Sequence, residues 1–287
     1  MNVLAPAKIN IGLRVIRKRS DTYHDIETIF YPIHLADELE ITKSERHEFF
    51  SNIHIDPRVN LCLRALHFFC ERTGINAEVK IVLKKNIPIG GGLGGGSSDA
   101  AAVLLALQEL YGKPLSEIEL RDIADQLGSD VPFFLKRTPS YATGKGEILQ
   151  PIKYKITKYI LTVTPDILVP TPLAYSMVTP IENSAGEKES KGRSLCDSLL
   201  ELGENFPGYK NTIVNDFETT VFKKFPIIEK IKSEMYNQGA EFALMSGSGS
   251  SVYGFFGSEA SADRASNILK EKFILRVTDV TPPRTVA

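Results

Sequence analysis

Between residues 86 and 112 the chain reads NIPIGGGLGGGSSDAAAVLLALQELYG. Six of the seven positions from Gly90 to Gly96 are glycine, with only Leu93 between them. Glycine loses more backbone entropy on folding than any other residue. A run this dense therefore points to a place where side chains would obstruct something. The flanks say what kind of place. Before it, EVKIVLKKN alternates as a strand, with Val79, Ile81 and Leu83 on one face and Lys80 and Lys84 on the other. After it, an apolar run predicts a helix from about Ser98 to Tyr111, stopped by Gly112 and Pro114. Consecutive amides in a strand–loop–helix turn form a concave anion site, and the helix dipole adds to it. Ser97 and Ser98 can cap that helix, and their hydroxyls can reach a phosphate or a metal ion.

Two familiar phosphate loops do not fit. A P-loop needs lysine after the second glycine of GxxxxGK[ST]. Gly91 and Gly96 have the spacing, but Ser97 stands at the lysine position. The dinucleotide pattern GxGxxG can be read at Gly90, Gly92 and Gly95, a weak signal in so glycine-rich a string. The acidic residue expected about 20 positions on should end a second strand. Glu109 lies inside the helix instead, and Ile87, Pro88 and Ile89 separate the glycines from the preceding strand.

The remaining sequence bounds the setting. A chain of 287 residues suits one large domain or two smaller ones. A net charge of -1 gives no basic footprint for nucleic acid and no polybasic membrane patch. Three cysteines without CxxC spacing argue against a disulfide framework or a zinc site, so a cytoplasmic location is expected. No run of eighteen apolar residues predicts a membrane span, and MNVLAPAKIN does not read as a secretory signal. KINIGLRVI reads as a strand with Ile9, Ile11, Leu13 and Val15 on one face. DELEI and FFSNIHI read as further strands, and NLCLRALHFFCERTG as a helix stopped by Gly74. SEIELRDIADQLG reads as a helix opened by a Ser116/Glu119 capping box. Beyond residue 150, KYILTVTPDI predicts a buried strand and PIIEKIKSEMYNQGA a helix. EFALMSGSGSSVYGFFG predicts two strands joined by a Gly/Ser turn, and residues 182–194 a polar surface excursion. A boundary near residues 150–160 separates halves 1–155 and 156–287, each mixing strands and helices without strict βαβ alternation. The fold class expected is α+β.

PIGGGLGGGSSDAA resembles the phosphate loop of the GHMP kinases. PAKIN, TYHDIETIF, GLGGGSSDAA, GSDVPFF, ATGKGE and SGSGSSVYG follow in the order of the cytidine-recognising branch of that family, from residue 6 to residue 254. The chain departs from the pattern at three points. The loop has GGG where GAG is frequent, Ser129 replaces a usual alanine, and Thr22 a usual glycine. The resemblance implies a two-domain GHMP kinase fold. Its N-terminal domain is like the second domain of ribosomal protein S5, its C-terminal domain is ferredoxin-like, and the site lies in the cleft between them. It implies a cytosolic kinase that phosphorylates the 2-hydroxyl of a cytidine diphosphate-linked methylerythritol with ATP and Mg2+. Alternatives are a homoserine- or mevalonate-type kinase of the same family, or a nucleotide-binding regulator without catalysis.

Residue by residue, the resemblance makes Gly90, Gly91, Gly92, Leu93, Gly94, Gly95, Gly96, Ser97 and Ser98 the triphosphate cradle. Asn60 and Leu61 in VNLCL fall on the adenine side, though locally they also read as a helix N-cap and a core leucine. It makes Asp130 in GSDVPFF the catalytic carboxylate facing Lys8 of PAKIN. On local grounds Asp130 reads equally as a turn or cap residue, and a lysine on an apolar strand usually sits at an edge with its head in solvent. For the acceptor, it assigns His24 to the cytosine edge. Tyr23 and Tyr175 become stacking rings, Phe30 a pocket wall, and Asn10 and Thr171 contacts to the polyol or phosphates. No Asp/Glu/His cluster marks a metal cage, so the ligands of a metal stay unknown.

Overall fold

The computed structural model describes residues 1–181 and 193–283, so the polar excursion lies outside the described residues except for Arg193 and Ser194. The chain forms two compact units. Unit 1 comprises Met1–Ala7, Leu35–Ile89 and Gly94–Arg137; unit 2 comprises Lys8–His34, Gly90–Leu93 and Thr138–Ala287. Two long strands run through both: β1 (Asn2–Lys18) and β2 (His24–Lys43), which pair with each other.

In unit 1, β4 (Val79–Lys84) lies between β2 and β3 (Glu48–Ser51), antiparallel to the first and parallel to the second. Val79, Ile81 and Leu83 are buried, as their alternation predicts. The same unit carries α1 (Leu61–Thr73), which precedes β4, and then α2 (Gly95–Leu110), α3 (Glu117–Leu127) and α4 (Val131–Lys136). Asn60 caps α1, and Gly74 ends it at φ 69°. The Ser116/Glu119 capping box closes in both directions. Helix α2 is buried nearly all round, from Ala100 to Leu104 and at Ala106 and Leu107. Both α1 and α4 pack against it.

In unit 2, β5 (Ser140–Thr143) pairs with Thr28–Phe30 of β2 and with β6 (Ile148–Pro151). A separate antiparallel sheet is built from β7 (Tyr159–Pro165), β8 (Phe242–Met245), β9 (Val252–Phe256) and β10 (Leu275–Thr281), in the order β10-β7-β9-β8. Among the described residues six helices accompany it: α5 (Thr171–Met177), α6 (Leu195–Leu202), α7 (Phe206–Tyr209), α8 (Glu218–Lys224), α9 (Pro226–Asn237) and α10 (Glu259–Lys272). Helices between β7 and β8 and between β9 and β10 give the β-α-β-β-α-β order of a ferredoxin-like layer. The α9 and α10 faces and the β7–β9 sheet bury Leu161, Val163, Ile231, Met235, Val252 and Leu269. Both the α+β class and the ferredoxin-like C-terminal half expected from the sequence are found.

Candidate functional site

Strand β1 delivers the first functional groups in unit 2. Ile9, Ile11, Leu13 and Val15 are buried on one face, but the other face is buried too. Lys8, only 4% exposed, is no edge lysine with its head in solvent. Its ammonium donates to Asn10 Oδ1 at 2.5 Å and to the Gly92 carbonyl at 3.1 Å, and lies 4.9 Å from the centre of the Phe30 ring. A buried charge costs several kcal/mol of desolvation unless such groups receive it. Asn10 is fully engaged in turn. Its Nδ2 donates to Thr28 Oγ1 at 2.9 Å, its amide donates to Ser246 Oγ at 3.2 Å, and its carbonyl accepts from the Tyr253 hydroxyl at 3.1 Å.

The first half of the glycine string packs beside them. The Lys8 amide donates to the Leu93 carbonyl at 3.0 Å. Ser246 Oγ donates to the Gly92 carbonyl at 3.0 Å, and the Ser251 amide to the Gly91 carbonyl at 3.1 Å. At Gly92, φ is 75° and an added Cβ would lie 2.1 Å from the Ser246 carbonyl oxygen. Only glycine fits there, because both the left-handed backbone and the close approach exclude a side chain. Gly91, where the family pattern frequently has alanine, is not among the residues with positive φ.

The acceptor candidates of unit 2 form a second group. His24 stacks on Tyr175 with centroids 4.9 Å apart and planes at 23°, and Tyr175 meets Phe217 edge-on at 4.8 Å. Partial burial, and secondarily the nearby Lys18, lower the His24 pKa. The neutral ring, with one donor and one acceptor nitrogen, is thereby favoured. Tyr23 is 55% exposed, with the Lys145 ammonium 4.8 Å from its ring centre. Thr22 adopts φ 72°, which explains why glycine is usual there. Thr171 opens α5 and its hydroxyl pairs with that of Ser248 at 3.0 Å.

Unit 1 holds the second half of the string. Helix α2 starts at Gly95, three residues earlier than the sequence pattern suggests, with Gly94 as N-cap at φ 73° and no side-chain cap. Ser97 and Ser98 are therefore inside the first turn and do not cap it. The buried Ser98 hydroxyl donates to the Pro6 carbonyl at 2.7 Å. No side chain caps the start of α2, and the first amides of an α-helix have no partner within the helix itself. Asn60 Oδ1 accepts from the amides of Cys62 and Leu63, while its buried Nδ2 has no hydrogen-bond partner. Leu61 Cδ1 lies 3.7 Å from the position of a Cβ on Gly96. Asp130 stands at the N-cap position of α4 and is half-buried, yet its side chain makes no capping bond. The carboxylate thus does not cap α4, while the turn reading holds, since Asp130 lies in the turn that leads into the helix.

Sequence reasoning missed a buried cluster beside the string. Lys85 Nζ bonds to Asp37 Oδ2 and, at 2.7 Å, to Asp99 Oδ2. Asp37 Oδ1 also accepts the amides of Asn86 and Ile87, fixing the turn into the glycines. Burial pushes the Asp99 carboxyl up to about 7, with Asp37 adding to it and Lys85 opposing. Its Oδ1 has no hydrogen-bond partner. Only the pairing of KK before the loop with SSD after it hints at this cluster in the sequence.

Comparison with known proteins shows which family the chain resembles. The model of the GHMP kinases N terminal domain matches residues 60–137, and that of the GHMP kinases C terminal domain residues 193–275. The 4-diphosphocytidyl-2-C-methyl-D-erythritol kinase of Parabacteroides distasonis is 45% identical over 254 residues, 87% of this chain and 89% of that protein. A crystal structure of 4-(cytidine 5'-diphospho)-2C-methyl-D-erythritol kinase superposes with a TM-score of 0.83 at 36% identity, covering 100% of both chains. A homoserine kinase from Cytophaga hutchinsonii has a TM-score of 0.71 at 17% identity, covering 98% of this chain and 94% of that one; this is a likeness of fold.

Proposed function

The chain belongs to the GHMP kinases, and we propose that it transfers the γ-phosphoryl group of ATP to the 2-hydroxyl of 4-diphosphocytidyl-2-C-methyl-D-erythritol. In the step, a bond forms between the acceptor oxygen and the γ-phosphorus. The bond from that phosphorus to the ADP oxygen breaks, and the hydroxyl proton passes to a carboxylate. Such transfer depends on positioning and charge stabilisation more than on covalent chemistry. Residues 90–98 cradle the triphosphate, with Asn60 and Leu61 toward the adenine. Lys8 offsets charge on the transferring group, and Asp130 orients the hydroxyl and takes its proton. His24 reads the cytosine edge, Tyr23 and Tyr175 stack on the ring, Phe30 lines the pocket, and Asn10 and Thr171 meet the polyol and phosphates.

The observation that carries this reading is the buried Lys8 ammonium on the carbonyl of Gly92, inside the glycine string. Magnesium would neutralise triphosphate charge. Among the described residues no three His, Cys, Asp or Glu side chains are grouped to hold a metal ion. Ser97 or Ser98 would be a protein ligand of such an ion, the Ser98 hydroxyl already donating to the Pro6 carbonyl. The two family matches fall on either side of residue 155, which supports a division of the sequence into an ATP-binding half, residues 1–155, and a C-terminal half, residues 156–287. Among the described residues no helix is long and apolar enough to cross a membrane.

The rival substrates are homoserine and mevalonate, and the rival role is nucleotide-binding regulation. The His24–Tyr175 stack favours a substrate carrying a pyrimidine. The test compares Asp130→Asn and His24→Ala with the parent enzyme. The first should lose turnover by about 10²–10⁴-fold. The second should raise the KM of the cytidylated acceptor and leave that of ATP nearly unchanged. The reverse pattern, or equal ADP release with homoserine, overturns the assignment.

A further inference from the structure

The tetrapeptide Asn215-Asp216-Phe217-Glu218 leads into α8 and carries none of the roles assigned above. Each of its members grips a piece of unit 2 that does. Asn215 is buried, and its Nδ2 donates to two carbonyls on either side of Ser246, that of Met245 at the end of β8 and that of Gly247 in the Gly/Ser loop, each at 2.8 Å. Its Oδ1 accepts the Phe217 amide at 3.0 Å. The amide group is thus spent on three backbone partners, and both of its N–H donors go to the carbonyls flanking Ser246. Glu218 Oε1 accepts the Met245 amide at 2.9 Å while its Oε2 pairs with Lys232 at 2.6 Å. Met245 is held on both its donor and its acceptor. The Asp216 amide donates to the Leu13 carbonyl at 2.9 Å, and its Oδ2 accepts from the Val15 amide at 2.7 Å, which ties the tetrapeptide to the strand bearing Lys8 and Asn10. Phe217 backs Tyr175, the ring on which His24 stacks.

Between the two carbonyls that Asn215 holds sits Ser246. Its hydroxyl accepts from the Asn10 amide and donates to the Gly92 carbonyl, the same oxygen that receives Lys8 Nζ. At Gly247, an added Cβ would lie 3.2 Å from Asn10 Oδ1, so the loop runs directly against Asn10. We propose that Asn215 is a positioning residue for phosphoryl transfer, fixing the Gly/Ser loop so that Ser246 holds the Gly92 carbonyl and Asn10 in register with the Lys8 ammonium. It touches no reacting atom and acts through Ser246. Neither of the nearest replacements at 215 can repeat the pattern. Aspartate keeps the shape but turns two donors into an acceptor facing two carbonyl oxygens, and alanine leaves both carbonyls without this donor.

The inference rests on the assignment of Lys8 to the transfer step. It is tested with the full chain, ATP and the cytidylated polyol, with rates scaled to nucleotide sites counted by titration, so that loss of folded enzyme does not register. Asn215→Ala and Asn215→Asp should each lower kcat by roughly 10²-fold, the usual effect of a misplacement of about 1 Å, with the KM of ATP within about threefold of the parent. Because Asn215 works through Ser246, the double variant Asn215→Ala/Ser246→Ala should be no slower than the slower single variant. Amide exchange at Asn10 should accelerate in Asn215→Ala, a readout that needs no substrate. Unchanged kcat per competent site, multiplying effects in the double variant, or unaltered exchange at Asn10 overturns the proposal. If the parent enzyme itself fails to phosphorylate the polyol, the substrate reading falls, and the exchange measurement still decides the role of Asn215.

Discussion

Two stretches of the chain are built almost wholly of glycine and serine: residues 90–98 and residues 246–251. They are alike in composition and opposite in construction. The first turns a strand into a helix. Its positive-φ glycines, Gly90, Gly92 and Gly94, end in a helix start that no side chain caps. The second joins two antiparallel strands, and its own polar groups are consumed internally. Ser246 accepts from Asn10 and donates to Gly92, Ser251 Oγ pairs with Thr164 at 2.7 Å, and Ser250 Oγ donates to the Ile167 carbonyl at 2.7 Å. Small residues thus serve two ends. In one place they open a helix whose start no side chain caps. In the other they let buried side chains such as Asn215 seize the backbone and set a wall.

Substitution at their point of contact, where Ser246 Oγ donates to the Gly92 carbonyl, separates the two most strongly. Gly92→Ala forces a Cβ against the Ser246 carbonyl and a side chain into the left-handed region, a strain of about 1–3 kcal/mol before the clash is counted. kcat/KM for ATP should fall by at least about 10²-fold. Gly91→Ala, where φ is not positive, should stay near parental activity in the same assay. Equal loss at both positions would mean that glycine content, and not geometry, is what the loop requires.

A middle-sized effect probes what the first stretch stands on. Asp99 has its folded-state pKa raised from 3.8 to about 7. The folded chain therefore holds that proton more tightly than the unfolded one. The stability it contributes is full below about pH 4 and is lost as pH rises through about 7. Asp99→Asn removes this dependence. In thermal melts between those limits, the variant should gain on the parent steadily as pH rises. A difference that is constant with pH would show that Asp99 remains ionised throughout.

The smallest effect concerns a left-handed residue that is not glycine. Thr22 holds φ 72° in the turn before His24. Thr22→Gly should stabilise the chain by about 1 kcal/mol, the strain relieved less the added entropy of the unfolded state. For a chain of this size that is a rise of roughly 2–4 °C in Tm. No gain, or a loss, would place the turn's strain elsewhere.

Much of the fold can be read from the residues because it is local. The strand–glycine–helix turn, the Ser116 capping box and the β8–β9 pair of strands depend on neighbours a few positions apart. The sequence pattern misplaces the start of α2 because serine is a better N-cap than glycine in general, whereas here Gly94 supplies the left-handed bend that the entering chain needs. The burial of Lys8 is hidden for a different reason. Alternation marks one apolar face of a strand and says nothing of what covers the other. Asp37, Lys85 and Asp99 lie on β2, just past β4 and on α2, and Asn215 lies 30 residues before the first carbonyl that it holds. Such contacts are set by tertiary packing, and a single sequence gives them no period or spacing to be recognised by.

On the proposed reading the glycine string presents a triphosphate to an alcohol on a cytidylated polyol. A single-turnover reaction with ATP labelled at the γ-phosphorus tests it directly. Label should pass to the 2-hydroxyl of 4-diphosphocytidyl-2-C-methyl-D-erythritol, stoichiometric with ADP, and Lys8→Met should slow the transfer without weakening ATP binding. Tight nucleotide binding with no labelled polyol would contradict it.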